Sequence, residues 1–183
     1  LKGRKNMPKR YVLTLTGSDR IGIVQDVTES ILECGGDVQA SRMARLGGEF
    51  AMLLLVSIPD SETNRLSDNI ERLSREGFKV SLTETEWGVG AKRKDWMPYR
   101  IKVRGANHEG IIHELSEQLS DQGIHIESVD TNVVPAPMSG APLFTMDAIV
   151  AVPPDLPKHK WRDDLEVAAD RLNVELEMSL YKD

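Results

Sequence analysis

One pattern occurs twice in this chain. Gly17-Ser18-Asp19-Arg20-Ile21-Gly22-Ile23 returns 88 residues later as Gly105-Ala106-Asn107-His108-Glu109-Gly110-Ile111, and Gly35 returns at the same offset as Gly123. Each heptapeptide lies between an alternating, strand-like run and a run with helical spacing. The repeat therefore predicts two copies of one unit rather than a single large domain. Each copy carries a glycine at the mouth of a helix. Helix N-termini attract anions, so each mouth is a candidate site for a small anion.

The 183 residues suffice for two domains of ordinary size. A hydrophobic content of 40 % with 28 % charged residues places the chain among soluble globular proteins rather than membrane or disordered ones. Cys34 is the only cysteine, which rules out an intrachain disulfide and a cysteine-built zinc site. It reads as a packed thiol in a reducing compartment. The net charge of −6 is unevenly spread. Lys2, Arg4, Lys5, Lys9 and Arg10 make residues 1–10 a basic, flexible tail, while residues 11–86 carry −6 and residues 99–183 carry −7. Acidic domains repel phosphate backbones, so no direct nucleic-acid partner is expected. No membrane partner is expected either. The tail is too polar for a secretory signal. A cytoplasmic location is expected, or an organelle if the tail is the remnant of a transit peptide.

Tyr11 to Thr16 alternates as a strand, and Ile23, Val24, Val27, Ile31 and Leu32 then stripe a helix that Gly35-Gly36 ends. Val38 to Leu46 and Phe50 to Ile58 read as strands joined at Gly47-Gly48. Ser61 is placed to cap a helix striped by Leu66, Ile70 and Leu73, and Phe78 to Leu82 closes the unit. Residues 87–98 read as a linker. The second half repeats the order, except that three prolines in 135–142 replace the tight hairpin turn with a longer loop. The expected fold class is α+β: two ferredoxin-like βαββαβ domains (residues 11–86 and 99–183), each a four-stranded antiparallel sheet with two helices on one face. Residues 51–56 are apolar on both sides of their strand, which predicts cover from a second layer: the second domain or another subunit, with a homodimer or a regulated protein as the expected partner.

The two heptapeptides, their place after the first strand and the β-α-β-β-α-β order resemble the ACT domain family. Asp19-Arg20-Ile21-Gly22-Ile23 and Asn107-His108-Glu109-Gly110-Ile111 carry the resemblance, which covers residues 11–183 apart from the linker. In length and layout the chain is similar to stand-alone tandem ACT proteins, among them the glycine cleavage system transcriptional repressor family. The resemblance implies a non-enzymatic regulatory protein that binds a small amino acid at paired domains and signals through protein contacts. It implies no cofactor and no metal. The implied ligand residues are Asp19, Arg20, Ile21, Gly22 and Ile23 in the first copy, and Asn107, His108, Gly110 and Ile111 in the second.

Helix-mouth N–H groups suit a carboxylate, and an Asp or Asn oxygen suits an α-ammonium group. Two alternatives remain open on the residues alone. Asp19 and Asn107 also suit N-caps, and Gly22 and Gly110 also suit close helix–sheet packing, which would make the chain a purely structural or interaction module. The first loop is expected to be the better binder, because Arg20 attracts a carboxylate where Glu109 repels one. His108 and His113 are five apart, one too many for the zinc-protease spacing. The scarcity of aromatic residues, 5 %, argues against an RNA-recognition sheet. An enzyme acting on small anions is the weakest reading, with no nucleophile–base arrangement to support it.

Overall fold

The computed structural model describes residues 8–86, 93 and 95–182. The linker assigned to 87–98 and the tail assigned to 1–10 fall largely outside the described residues, but their inner ends are not linker or tail. Lys9 and Arg10 open the first strand of the first unit, and Met97 and Pro98 open that of the second, each held by antiparallel pairing. The chain divides into two compact units, Leu1–Val89 and Gly90–Asp183.

The first unit runs β1 (Lys9–Ser18), α1 (Ile23–Glu33), β2 (Asp37–Leu46), β3 (Glu49–Ile58), α2 (Thr63–Arg75) and β4 (Lys79–Glu84). Its sheet has the order β2-β3-β1-β4, with every pairing antiparallel. Alternation in β1 sends Tyr11, Leu13 and Leu15 to one face. Met52, Leu54 and Val56 of β3 join them there, and the same cluster holds Ile23, Val27 and Ile31 of α1 with Leu66, Ile70 and Leu73 of α2. Both helices thus bury their apolar stripes against a single sheet face. Cys34, just beyond α1, is part of this core, and burial raises its thiol pKa. Asn69 of α2 donates to its sulfur at 3.7 Å.

Ser61 does not cap α2. Pro59 leads instead into a 3-10 turn over Asp60–Glu62, closed by the Glu62 N–H on the Pro59 carbonyl at 2.9 Å. The helix starts one residue later, with Glu62 at its N-cap and no side-chain capping bond.

The second unit repeats the plan: β5 (Met97–Ala106), α3 (Ile111–Asp121), β6 (His125–Pro135), β7 (Pro142–Val152), α4 (Lys158–Arg171) and β8 (Val174–Leu180), with sheet order β6-β7-β5-β8. Its core contains Ile101, Phe144, Leu115 and Trp161. The Trp161 ring meets Tyr99 edge-on at 5.1 Å. The proline-rich connection leaves the ladder only after Pro135 pairs with Pro142, and the Ala136 N–H closes it on Ala141 at 2.8 Å.

The two open sheet faces differ in chemistry. On the first, cross-strand neighbours are Leu55 with Val12 and Leu53 with Thr14. Leu53 is 46 % exposed. On the second, Lys102 lies between Asp147 and Glu177, and Arg104 lies between Thr145 and Glu175. Arg100 donates to Asp147 there at 2.8 Å.

Candidate functional site

The repeated loops are built alike. Asp19 donates its N–H to the Gly48 carbonyl and Asn107 donates to Pro142, both at 3.0 Å, so each loop hangs on the strand pair beside it. Gly22 and Gly110 occupy the N-cap positions with φ of 92° and 89° and no side-chain capping bond. A side chain at either position would meet almost nothing: no atom lies within 4 Å of a β-carbon at Gly110. These glycines therefore serve a left-handed backbone and not close packing, and Asp19 and Asn107 are not the caps. The first intrahelical bonds are Asp26 to Gly22 and Glu114 to Gly110. The N–H groups of residues 23–25 and 111–113 lie ahead of those bonds and point out of the helix mouth.

Close packing falls instead on the strand glycine before each loop. A β-carbon at Gly17 would lie 2.4 Å from the Phe78 ring, and one at Gly105 would lie 2.7 Å from Val174 Cγ1. Phe78 and Val174 hold the same place in the two copies, each where the chain enters the last strand.

In the first loop the charges are paired internally. Arg20 binds Asp26 at 2.7 Å and Glu76 at 3.1 Å, and its guanidinium lies 5.2 Å from the centre of the Phe78 ring. Asp19 faces Arg45 of β2 at 3.8 Å. Ile21 is fully exposed, while Ile23 is buried in the core. Arg20, the cation expected to attract a ligand carboxylate, is thus already held between two carboxylates.

In the second loop the corresponding side chains differ. His108 Nε2 lies 2.7 Å from the Leu172 carbonyl oxygen and Nδ1 lies 2.9 Å from that of Glu109. The Leu172 contact, then the Glu109 contact, raise the ring's pKa above its ordinary 6.5, against a smaller opposing effect of desolvation. Asn107, His108 and Gly110 line a cavity of about 400 Å³ together with Ile112, Asn132 and Val133. Thr131, Phe144 and Ile111 also line it, the last two from the buried core. Val133 is the counterpart of Arg45. Where the first copy has an arginine facing its loop aspartate, the second has a valine facing an asparagine.

The residues of β6 that complete this cavity were not singled out in the sequence. They lie beyond the motif, and only the strand register brings Asn132 and Val133 alongside the loop. His113 is on α3 and also lines the cavity. Among the described residues no cluster of three or more His, Cys, Asp and Glu side chains is arranged to hold a metal ion. No helix among them is long and apolar enough to cross a membrane.

Known proteins share these features. Residues 9–82 match the family model of the ACT domain. Over 46 residues the chain is 44 % identical to the glycine cleavage system transcriptional repressor of Escherichia coli (strain K12), and equally to that of Shigella flexneri. The matched stretch is 25 % of this chain and 24 % of each repressor, so it spans about a quarter of these curated relatives. A solved structure of an unknown protein from Galdieria sulphuraria is 29 % identical with a TM-score of 0.80, covering 96 % of this chain and 99 % of its own. A putative glycine cleavage system transcriptional repressor superposes with a TM-score of 0.68 at 17 % identity, again over 96 % and 99 % of the two chains, which shows the common two-domain fold.

Proposed function

We propose, on the match of residues 9–82 to the ACT domain and the repetition of the motif in the second unit, that this chain is a non-enzymatic regulatory protein of two ACT-like domains, residues 11–86 and 99–183, joined by the connector 87–98. Its second loop binds a small free amino acid, and the bound state passes to a partner protein by contact. The cavity at Asn107 carries this reading. Helix-mouth N–H groups of residues 111–113 suit a carboxylate. The side-chain oxygens of Asn107 and Asn132 suit an α-ammonium group. Ile112, Val133 and Phe144 offer an apolar wall for a short aliphatic side chain. At about 400 Å³ the space is in the range of small-molecule sites.

The similarity to repressors supports a role in controlling amino-acid metabolism. The acidic charge of both halves favours a protein intermediary over direct contact with DNA. The first loop supports a second reading for its own copy. With Arg20 and Asp19 both held in ion pairs, that unit acts as an interaction module without ligand.

Calorimetry with the twenty amino acids tests the proposal. At least one is expected to bind wild type, to bind Gly22→Asp equally well, and to lose most of its affinity for Asn132→Leu. Binding by none of the twenty would overturn the ligand reading, and equal binding to Asn132→Leu would move the site elsewhere.

A further inference from the structure

We infer that the second loop is fastened to the end of α4 by a proton on His108, so that its candidate ligand cavity is held in shape in acid and released in base. Both ring nitrogens sit at backbone carbonyl oxygens, 2.7 Å from Leu172 and 2.9 Å from Glu109. A carbonyl can only accept. A neutral imidazole has one N–H and one lone pair, so it makes one of these bonds and sets a lone pair against the other oxygen. The imidazolium makes both. Whichever tautomer the neutral ring adopts, it keeps one bond and turns a lone pair on the other oxygen. Because His108 lies between Asn107 and Gly110, which both line the cavity, the loss of either bond loosens the cavity's own wall.

The repeat supplies an internal comparison. Arg20 stands where His108 does, 88 residues earlier, and reaches Glu76, the counterpart of Leu172. Arginine keeps its charge at every physiological pH, whereas histidine changes charge within that range. One structural tie is thus permanent in the first unit and proton-dependent in the second. The charged and titratable groups on the elements that meet His108 are Glu109 beside it, His113 and Glu114 on α3 and, within three residues of Leu172, Asp170 and Arg171 at the end of α4 and Glu175 on β8. Glu114 adds a small pull in favour of the protonated ring, and it is itself paired with Arg171 at 3.0 Å. The sign follows from a raised folded-state pKa. The tie contributes fully below about pH 6.5 and is lost as pH rises through the higher folded-state midpoint.

The consequence for ligand rests on the proposed amino-acid site, so the experiment has two separable arms. In the first, NMR of the full chain without ligand follows His108 and the backbone amides of both loops between pH 5.5 and pH 8.5. His108 is expected to titrate above about 6.5. The amides of Asn107 and Gly110 should move with it while those of Asp19 and Gly22 do not. In His108→Arg the second loop should stay fixed throughout, and in His108→Gln it should resemble wild type at high pH. A His108 midpoint at or below about 6.5, or loop amides indifferent to it, would overturn the inference. In the second arm, affinity for whichever amino acid binds is expected to fall several-fold from pH 6 to pH 8 in wild type and to stay level in His108→Arg. A level wild-type profile would overturn the link to ligand. Absence of binding at every pH would instead overturn the proposed ligand site and leave the first arm to decide the fastening.

Discussion

Gly22 and Gly110 hold φ near +90°, where a β-carbon is strained whatever the space around it. Gly22→Ala is therefore expected to cost about 1–3 kcal/mol in chemical denaturation. Gly48→Ala serves as the control. Nothing lies within 4 Å of its β-carbon position and its φ is outside the left-handed range, so it should stay within about 0.5 kcal/mol of wild type. Gly105→Ala should also cost about 1–3 kcal/mol, for a different reason: its β-carbon would press on Val174, whose Cα is only 3.0 Å away. Gly22, Gly110 and Gly105 were visible in the repeat, but their reasons were not. A one-dimensional pattern does not say whether a glycine answers to its own dihedral angle or to a neighbour 69 residues on. The loop cations show the same limit. Arg20 reads as a free cation until α2 brings Glu76 beside it.

At the scale of elements, alternation and helical spacing were enough to give the eight strands and four helices of the described residues. The helices and the inner strands β1, β3, β5 and β7 bury apolar stripes, whereas the edge strands β2 and β6 bury none of their residues. The start of α2 was not legible, since a 3-10 turn after Pro59 displaces the cap expected at Ser61. The doubly apolar β3 was legible as such: Met52, Leu54 and Val56 turn inward while Ala51, Leu53 and Leu55 lie on the open face. Leu53 there lies between Thr14 of β1 and Arg42 of β2, so the apolar row is bordered by charge. If a second copy covers the row, Leu53→Lys shifts a dimer toward monomer in sedimentation without changing the circular dichroism spectrum. On the other open face, Arg100 hydrogen-bonds Asp147 and holds its carboxyl below the usual 3.8, with desolvation opposing. That stabilisation is present above pH 3.8 and is lost as pH falls through the depressed value. Because the pair is more than one-third exposed, Asp147→Asn should cost less than about 1 kcal/mol at pH 7, and the difference should vanish in acid.

For the whole molecule, duplication gave the fold twice, and divergence left the two candidate loops unequal. The loop residues alone do not show what already occupies them. Arg20 suggested a stronger first site, yet the partners that occupy it and Asp19 come from α1, α2 and β2. The open cavity lies at the second loop, completed by β6. If an amino acid binds there, mass action predicts a stabilisation of about 2.7 kcal/mol at a hundredfold excess over Kd, readable as a rise in melting temperature.

The buried thiol of Cys34 turns this chain into its own stopwatch. As the single cysteine, packed into the first unit beside Asn69, it can be alkylated only when that unit opens, so the labelling rate counts openings of α1 against α2. Asn107 belongs to the other unit. Slower labelling of Cys34 with an amino acid seated at Asn107 would mean that the news of binding had crossed from one copy of the repeat to the other.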